Sequence, residues 1–588
     1  MLSEHATLVR LVRSKMAATK NRNNFKLRTR VILGAIIFVA AILVVRLYFL
    51  QVVHGEEYRT QASDQYVSAS GGFYDRGAIF FKDKDGREVS GATIKTGYLL
   101  AVKPVEIEDA QATYNSISQY LEVDEETFMF RATKEGDPYE EIQQRVESDA
   151  AKKIIALELD GVLLISQRWR YYPGKTLASH LLGFVAYDGD ERNGRYGLER
   201  HFEDVLSRGE SNLYVNFFAE LFTNLRDVVF VPVAKREGSI VTTIEPSVQL
   251  HLEKVLLEMR DEWNSDFTAG IIMDPQTGEI RAMAVSPAFD LNNFGESDVS
   301  QFANPLVERV YEMGSIVKPL TVAAGLDSKA ITPESTYNDR GSLTLDTYTI
   351  SNYDGRARGV VKMQEILSQS LNTGVAYIAD KMGKDEFRRY MYRYGVNEET
   401  GVDLPNEARN LTENLNSPRE IEYATASFGQ GIALSPINMV RALAILPDGF
   451  SEQPHVVSAI HSKTGITHKI DYSDVREQIL SPETSEEITR MLVKVVDEAL
   501  LGGSVKMDRY SIAAKTGTAQ MASPDGGYYE DRFLHSFFGY FPAYDAQYIV
   551  FLMNVEPQGA LYASQTLTHP FMDITKFLIN YYDIAPDR

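Results

Sequence analysis

Cysteine is absent from the 588 residues, which excludes disulfide bonds, thiolate metal sites and a cysteine nucleophile. The sequence also lacks a His-Glu-x-x-His pattern and a Walker pattern. Neither a metal ion nor a nucleotide cofactor is therefore expected. No Gly-x-Ser-x-Gly elbow occurs, which argues against a serine activated by histidine in a hydrolase of that type.

The charge is distributed unevenly along the chain. Residues 1–30 carry eight of the 60 basic residues and only one of the 81 acidic residues. The remaining residues therefore have a net charge of −28. Such an acidic body is a poor match for nucleic acid, because phosphate binding needs clustered cations.

Only one apolar run is long enough to suggest a membrane span, and it follows the basic tail. It comprises Val31–Val45 and continues, after Arg46, to Leu50. Twenty helical residues span about 30 Å, the thickness of a hydrocarbon core, and Arg46 can extend toward the headgroups. A cleaved signal peptide is the alternative, but the tail is too long and no small-residue cleavage site follows. We predict a transmembrane anchor at 31–53, with a cytoplasmic tail at 1–30 and everything later outside.

The length predicts two or three domains, since one hydrophobic core rarely serves so many residues. We place a boundary near residue 240. Residues 54–240 are predicted to form a non-catalytic domain, because no nucleophile, metal or phosphate motif occurs there. Within it, Lys84-Asp85-Gly86 predicts a hairpin turn and residues 105–165 are predicted to be helical.

The region 241–588 predicts an α+β fold. A helix is expected to begin at Pro246, whose fixed φ suits a first turn. A hairpin is expected over 269–284, and helices and loops over most of 305–450. Later strands are predicted around 455–470, 510–520, 536–542 and 548–555, and a last helix at 570–581. Strands at both ends around a helical middle predict a sheet built from distant segments.

The first candidate motif is Ser315-Ile316-Val317-Lys318. A helix that begins at Ser315 would place both polar side chains on one face of its first turn. A helix N-terminus favours negative charge, which suits an alkoxide and an oxyanion, and Pro319 is tolerated only near a helix start. By itself this match is common, because a helix-capping serine followed by a solvated lysine has the same pattern.

The second motif is Ser370-Leu371-Asn372. Ser370 could pass a proton between Lys318 and a leaving group, and Asn372 could hold a substrate amide. A helix-capping serine followed by a turn asparagine is the alternative interpretation.

The third motif is Lys515-Thr516-Gly517-Thr518, one of three Lys-Thr-Gly matches in the chain. The matches at Lys95 and Lys463 are better explained as structural, since the first lies in the domain without chemistry and the second precedes a predicted hairpin glycine. Lys515 instead ends a strand-like run. Gly517 would let a substrate backbone approach the strand edge, and Lys515 with the threonine hydroxyls suits a carboxylate.

A serine nucleophile needs a base. A lysine can serve if its pKa falls from about 10.4 to about 7–8, a differential of roughly 4 kcal/mol. Burial of Lys318 and the neighbouring charge of Lys515 both act in that direction.

The three motifs, in this order behind an N-terminal anchor, resemble those of the class B penicillin-binding proteins, the monofunctional transpeptidases. The resemblance covers about residues 45–585. Further stretches are similar to the family, namely Leu50–Val52, Thr243–Gln249, Met273–Glu279, Ser427–Ile432, Lys515–Gln520 and Ser536–Pro542. Met313 stands where the family often has proline, Leu371 where it often has serine, and the stretch around Arg76-Gly77 is a loose version of the family's.

The resemblance implies a penicillin-binding, β-lactamase-like transpeptidase domain over 241–588, α+β with an antiparallel sheet flanked by helices. Residues 54–240 would be an elongated mixed α/β pedestal of the dimerisation type. Ser315 would attack the D-Ala–D-Ala bond of a peptidoglycan stem peptide and release D-Ala. An amine of a neighbouring stem would then resolve the acyl-enzyme, and water would do so in a carboxypeptidase reaction. β-Lactams would acylate Ser315 as substrate mimics.

The resemblance also implies residue roles. Lys318 would be the base, with Ser370 and Lys515 as a proton relay, and the backbone N–H groups of Ser315 and Thr518 would form an oxyanion hole. The catalytic set would be Ser315, Lys318, Ser370, Asn372 and Lys515, and the substrate-binding set Thr516, Gly517 and Thr518. No cofactor is implied.

The implied partners are stem peptides, β-lactams, a SEDS-family glycosyltransferase on the pedestal, and other division or elongation membrane proteins. The implied location is the cytoplasmic membrane, with one span and an extracytoplasmic catalytic domain. The layout resembles the septal type more than the elongation type. A β-lactam sensor or divisome scaffold that acylates without turnover is the alternative of a different class, since it would keep Ser315 and Lys318.

Overall fold

The computed structural model describes residues 74–189, 191–208, 237–463, 465–473, 476–523 and 526–588. The described residues form two compact units: Tyr74 with Gly97–Gln167 is the smaller, and Asp75–Thr96 with Arg168–Arg588 is the larger. The predicted tail and anchor lie outside the described residues. Within the ranges given, no helix combines the length and the apolar character that a membrane crossing requires.

Up to residue 208 the described chain alternates strands with short helices. The strands are β1 (Ile79–Lys82), β2 (Glu88–Val102), β3 (Glu140–Val146), β4 (Val162–Tyr171), β5 (Val185–Asp188) and β6 (Glu191–Gly194). The helices are α1 (Ala110–Ile117), α2 (Glu125–Ala132), α3 (Ser148–Ile155), α4 (Ser179–Leu182), α5 (Gly197–His201) and α6 (Glu203–Leu206). The predicted hairpin turn joins the antiparallel pair β1 and β2, and Gly86 has the positive φ, 81°, that such a turn favours.

The smaller unit has a core of its own. The second half of β2 pairs antiparallel with β3, and Ile117, Phe128 and Ile154 from the three helices are buried beside it. The prediction of helix throughout 105–165 is therefore wrong for β3 and the start of β4. The charged sequence of β3 has no strand pattern of its own, so its conformation depends on pairing with a partner far away in the sequence.

From residue 237 onward the described strands are β7 (Gly238–Thr242), β8 (Phe267–Met273), β9 (Ile280–Ser286), β10 (Thr336–Asp339), β11 (Ser342–Leu345), β12 (Tyr348–Ser351), β13 (Gly359–Lys362), β14 (Phe450–Ser451), β15 (Val457–Ser462), β16 (Thr467–Lys469), β17 (Glu477–Gln478), β18 (Ala513–Ala522), β19 (Tyr528–Phe541) and β20 (Tyr548–Val555). The helices are α7 (Pro246–Trp263), α8 (Pro305–Glu308), α9 (Lys318–Asp327), α10 (Met363–Ser368), α11 (Asn372–Met382), α12 (Lys384–Arg393), α13 (Glu420–Ala426), α14 (Pro436–Ala444), α15 (Pro482–Lys494), α16 (Ala563–Thr566) and α17 (Thr568–Tyr581).

A five-stranded antiparallel sheet is the framework of the larger unit. Its order is β18-β19-β20-β8-β9, so it joins distant segments of the chain as predicted. Successive side chains of a strand point to opposite faces. Phe537 accordingly belongs to the same buried cluster as Leu252 of α7 and Phe571 of α17, whereas Phe538 shares a cluster with Ile316. Helices therefore cover both faces of the sheet.

The start of α7 follows the sequence prediction. Pro246 occupies the first helical position, and the Glu245 carboxylate accepts a hydrogen bond from the Val248 N–H at 2.7 Å. This cap satisfies one of the amide groups that a helix start leaves unpaired. β7, just before α7, pairs parallel with β1 and antiparallel with β15, all within the larger unit.

The predicted helical middle contains an insertion of four short strands. β10 pairs with β13, and β11 pairs with β12, both antiparallel. Each has only four residues, which is too short for a clear periodic signal, and in β10 one of the two buried positions is the polar Asp339. The insertion directly precedes α10 and α11, between which Ser370 lies.

Candidate active site

Ser315 lies on a tight turn that leads into α9. The turn, Gly314–Val317, is a 3-10 helix, and the α-helix begins only at Lys318, with Pro319 in its first turn. The prediction of an α-helix from Ser315 is corrected by this one 3-10 turn. Gly314 has a φ of 62°, and its N–H donates to the Gly429 carbonyl at 3.2 Å. No side-chain cap occurs at either helix start, so Ser315 is not a capping serine.

The serine turn is pressed against strands β18 and β19. The Ser536 hydroxyl donates to the Met313 carbonyl at 2.9 Å. A Cβ on Gly517 would lie only 2.6 Å from that carbonyl oxygen and 2.4 Å from the Ser536 Oγ. A Cβ on Gly314 would lie 3.0 Å from the Thr518 carbonyl oxygen. Glycine at 517 is therefore needed for packing of the serine turn, a reason that the sequence alone did not suggest.

Lys318 is completely buried and reaches Ser370. Its Nζ donates to the Ser370 carbonyl at 2.6 Å and to the Ser370 Oγ at 3.1 Å. No hydrogen bond joins Lys318 to the Ser315 hydroxyl among the described residues, as is common in an unliganded site. Burial, and then the charge of Lys515, lower the pKa of Lys318 well below its usual value. That is the direction a lysine base requires.

Lys515 lies in β18 and is also buried, with 3% of its surface exposed. Its Nζ donates to the Thr516 carbonyl at 2.8 Å. Burial lowers the pKa of Lys515 to about 7. The site thus holds two lysines that lose their protons far more easily than a lysine in water.

Ser370 and Asn372 occupy the sharp connection between α10 and α11. Ser370 has a φ of 53°, which costs a residue with a side chain on the order of 1–3 kcal/mol unless its surroundings hold it. Asn372 is the first residue of α11, and its Nδ2 donates to the Ser351 carbonyl at 2.9 Å. Its Oδ1 has no hydrogen-bond partner among the described residues and can accept one from a substrate amide. No side chain caps α11, so the capping alternative does not apply.

The outer end of the site is formed by the half-buried Thr516 and Thr518. The Thr518 Oγ1 accepts a hydrogen bond from the Ala563 N–H at 3.0 Å, so its own proton remains available to a ligand. β18 is the last strand of the sheet and has no strand neighbour on its outer side in the described chain. An extended peptide could therefore lie along it.

The other two Lys-Thr-Gly matches lie in structural settings. Lys95, within β2, places its Nζ 4.5 Å from the centroid of the Tyr171 ring. Lys463 lies at the turn between β15 and β16, and Gly465 there has a φ of 83°. These surroundings agree with the interpretation of both matches as structural.

Several residues that shape the site were not predicted to have a role in it. Glu312 precedes the serine turn, and its carboxylate accepts hydrogen bonds from the Tyr528 hydroxyl at 2.8 Å and from the Gly431 N–H at 3.0 Å. Ser536 and Gly429 fix the same turn. Their stretches of sequence resemble the family, which was the only available signal, because a single serine or glycine carries no periodicity.

A serine on a tight turn, a buried lysine with a lowered pKa and a free sheet edge are together the groups that a serine acyltransferase needs. Residues 268–575 match the family model described as the penicillin binding protein transpeptidase domain. Residues 75–217 match the model of the penicillin-binding protein dimerisation domain. The chain therefore belongs to the penicillin-binding proteins, and this pair of domains is the class B arrangement.

Curated relatives resemble the chain over most of its length. Stage V sporulation protein D of Bacillus subtilis is 28% identical over 549 residues, which cover 92% of this chain and 83% of that protein. A probable peptidoglycan D,D-transpeptidase of Neisseria meningitidis is 26% identical and covers 95% of this chain and 94% of that protein.

Solved structures have the same fold. Penicillin-binding protein 3 of Mycobacterium tuberculosis, in complex with aztreonam, gives a TM-score of 0.66 at 20% identity, covering 88% of this chain and 98% of that one. Penicillin-binding protein 2X of Streptococcus thermophilus gives 0.69 at 17% identity, covering 87% and 81%. At such identities the likeness establishes the fold alone.

Proposed function

We propose that this protein is a peptidoglycan D,D-transpeptidase that works through an acyl-enzyme on Ser315. The observation that carries the proposal is the buried Lys318, which contacts Ser370 and has a strongly lowered pKa one helical turn from the serine. The family membership supports the reaction class, and the relatives named as peptidoglycan D,D-transpeptidases support peptidoglycan as the substrate. We assign the D-Ala–D-Ala end of a stem peptide as the part that reacts.

The first half-reaction forms the acyl-enzyme. Neutral Lys318 takes the proton of the Ser315 hydroxyl, and the oxygen attacks the carbonyl carbon of the D-Ala–D-Ala bond. The backbone N–H groups of Ser315 and Thr518 stabilise the oxyanion. That these two N–H groups lie near each other is supported by the close packing of the serine turn against β18 at Gly314 and Gly517.

Departure of the terminal D-Ala requires a proton on its nitrogen. Ser370, hydrogen-bonded to Lys318 at 3.1 Å, relays that proton from the lysine, and Lys515 is the second cation of the relay. An amine of a neighbouring stem then attacks the ester, loses its proton along the same route and forms the crosslink. Attack by water instead yields a carboxypeptidase product.

Substrate recognition falls to β18 and Asn372. The hydroxyls of Thr516 and Thr518, with the charge of Lys515, bind the terminal carboxylate, and Gly517 lets the peptide backbone approach the strand. The Asn372 Oδ1 accepts a hydrogen bond from the peptide amide. A β-lactam fits the same groups as a mimic of the dipeptide.

Intact-protein mass spectrometry with benzylpenicillin tests the nucleophile. The wild type should gain the mass of one penicillin, and Ser315→Ala should not. Ser328→Ala is a matched control, because Ser328 directly follows the same helix and its hydroxyl donates to the Gly325 carbonyl at 3.3 Å. Labelling of Ser315→Ala at the wild-type rate would falsify the proposal. Mass analysis of the products from pentapeptide stems then separates a transpeptidase from a sensor that acylates without turnover.

We further propose the cellular arrangement that the sequence predicts. Residues 31–53 anchor the chain in the cytoplasmic membrane, 54–240 form the pedestal and 241–588 the transpeptidase domain outside. The pedestal contacts a SEDS-family glycosyltransferase at the septum. A fluorescent fusion that localises to the side wall rather than the division site would contradict the septal role.

A further inference from the structure

Asp339, at the end of β10, is a buried carboxylate that the reaction itself does not use. Only 1% of its surface is exposed. Its oxygens accept hydrogen bonds from the Gly341 N–H at 3.0 Å, the Asn352 Nδ2 at 3.0 and 3.1 Å, the Arg358 N–H at 3.0 Å and the Thr373 hydroxyl at 2.8 Å. A buried carboxylate with so many donors holds several chain segments together, because each lost bond leaves a buried polar group unpaired.

Two of these donors, Asn352 and Thr373, connect Asp339 to the active-site residue Asn372. Thr373 is the second residue of α11, next to Asn372. Its N–H donates to the Asn352 Oδ1 at 3.3 Å while its hydroxyl donates to Asp339. Asn372 itself donates to the carbonyl of Ser351, the neighbour of Asn352. The first turn of α11 is thus attached to the strand insertion by several hydrogen bonds from Asn372 and Thr373.

The segment just before this turn is strained and must be held from outside. Ser370 has a φ of 53°, a region that residues with side chains rarely adopt. The segment is held to the preceding helix α10 by the Leu371 N–H, which donates to the Ile366 carbonyl at 2.9 Å. It is held to the strand insertion by the hydrogen bond of the Thr373 hydroxyl to Asp339. Since Lys318 bonds both the carbonyl and the hydroxyl of Ser370, the position of this segment also sets the position of the base.

We propose that Asp339, Asn352 and Thr373 form a positioning cluster that fixes the Ser370–Asn372 segment for acylation. None of the three touches the reacting atoms. They act through Ser370 and Asn372, and loss of the cluster slows acylation by displacing the relay rather than by unfolding the domain. The inference rests on the acylation of Ser315 proposed above.

The test uses the full-length chain and the second-order rate of acylation by a fluorescent penicillin. Asp339→Asn should slow acylation 10- to 100-fold, because the NH₂ group of the new side chain would face the Gly341 or Arg358 N–H instead of accepting a hydrogen bond from it. Thr373→Val should slow it about tenfold, and Thr373→Ser, which keeps the hydroxyl, should stay within threefold of the wild type. The matched control is Asp403→Asn, a carboxylate of similar burial that accepts from the N–H groups of Val456 and Val457 at 2.7 Å each.

Asp403→Asn should lower the unfolding temperature yet acylate within twofold of the wild type where both are folded. In an Asn372→Ala background, Thr373→Val should slow acylation by a smaller factor than it does in the wild type, since both substitutions act through one segment. Equal slowing by Asp403→Asn and Asp339→Asn at matched stability would overturn the proposal, as would strictly multiplicative effects of Asn372→Ala and Thr373→Val.

Amide hydrogen exchange supplies a readout that does not depend on acylation. Peptides that cover 363–373 should exchange faster in Asp339→Asn than in the wild type. In Asp403→Asn they should exchange at the wild-type rate. If exchange in Asp339→Asn equalled that of the wild type, the proposed positioning role of the cluster would be overturned even if acylation were slow. A wild type that is not acylated, with exchange behaving as expected, would instead refute the proposed function and leave the positioning cluster supported.

Discussion

Two copies of the tripeptide Lys-Thr-Gly, at 515–517 and at 463–465, have the same covalent chemistry and opposite surroundings. Lys515 lies in β18, is 3% exposed and has its pKa lowered to about 7 by burial. The Lys463 side chain is 49% exposed at a hairpin turn and lies 3.7 Å from a Glu237 carboxylate. The difference shows that a short motif acquires chemistry from desolvation and from its neighbours, not from its residues alone.

The two glycines differ in the same way. Gly517 faces the serine turn so closely that a Cβ would meet the Met313 carbonyl oxygen and the Ser536 hydroxyl. Gly465 has open space around it but a φ of 83°. One glycine is required by packing against the site, and the other by the conformation of a turn.

Replacement of the two lysines should produce the largest contrast. Lys515→Met should reduce the second-order rate of penicillin acylation by about 10²–10⁴-fold, since it removes the cation that we propose binds the carboxylate and whose charge lowers the pKa of Lys318. Lys463→Met should leave the rate within twofold. Both rates are measured by stopped flow with a fluorescent penicillin.

The fold should survive Lys515→Met, because methionine fills the buried space without a charge to desolvate. The thermal midpoint should therefore stay the same or rise. A loss of acylation accompanied by a large fall in the midpoint would mean that Lys515 is structural after all.

Substitution of the glycines is expected to separate activity from stability. Gly517→Ala should slow acylation on the order of 10²-fold by shifting the serine turn, and destabilise by about 1–3 kcal/mol. Gly465→Ala should cost about 1 kcal/mol through its positive φ and leave acylation unchanged. Penicillin labelling and thermal denaturation of both variants decide the point. Comparable acylation by the two variants would contradict the packing role of Gly517.

The pH dependence should show the titration of Lys515. As pH rises through about 7 the free enzyme loses the Lys515 charge, so acylation by a carboxylate-bearing penicillin should fall, approaching tenfold per pH unit above that value. The methyl ester of the same penicillin is the control, since it has no carboxylate to attract. A descending limb of equal size for the ester would exclude carboxylate binding as its cause.

Stability should depend on pH in the opposite direction. The unfolded chain keeps Lys515 protonated up to about pH 10.4, whereas the folded chain loses that proton near pH 7. The unfolded state therefore binds more protons in this window, and the free energy of unfolding should rise with pH by up to about 1.4 kcal/mol per unit. Denaturant unfolding from pH 6 to 10 measures it, and the rise should shrink in Lys515→Met.

The smallest effect belongs to the charge pair of Lys463 with Glu237. Both side chains are about half exposed, so water screens their attraction. Lys463→Met should change the free energy of unfolding by less than about 0.5 kcal/mol. A loss above 2 kcal/mol would show that this hairpin contributes far more than its exposure indicates.

Much of the larger unit was predictable because its signals are local and strong. The cap at Glu245 and the proline after it mark the start of α7, and β20 was predicted with its observed limits because an apolar run of that length is a buried strand. The strand β3 and the insertion β10–β13 were not predictable. Their residues become strands through pairing with partners that local composition does not identify.

The sequence by itself determined which side chains could carry the chemistry: a serine followed at three residues by a lysine, a second serine and a second lysine. Only the tertiary structure decided what those groups become. It buried Lys318 against Ser370, brought a second buried lysine near it, and pressed Gly517 onto the serine turn. The physical reason is that desolvation and close packing are properties of the surroundings, which distant segments of the chain supply only once it has folded.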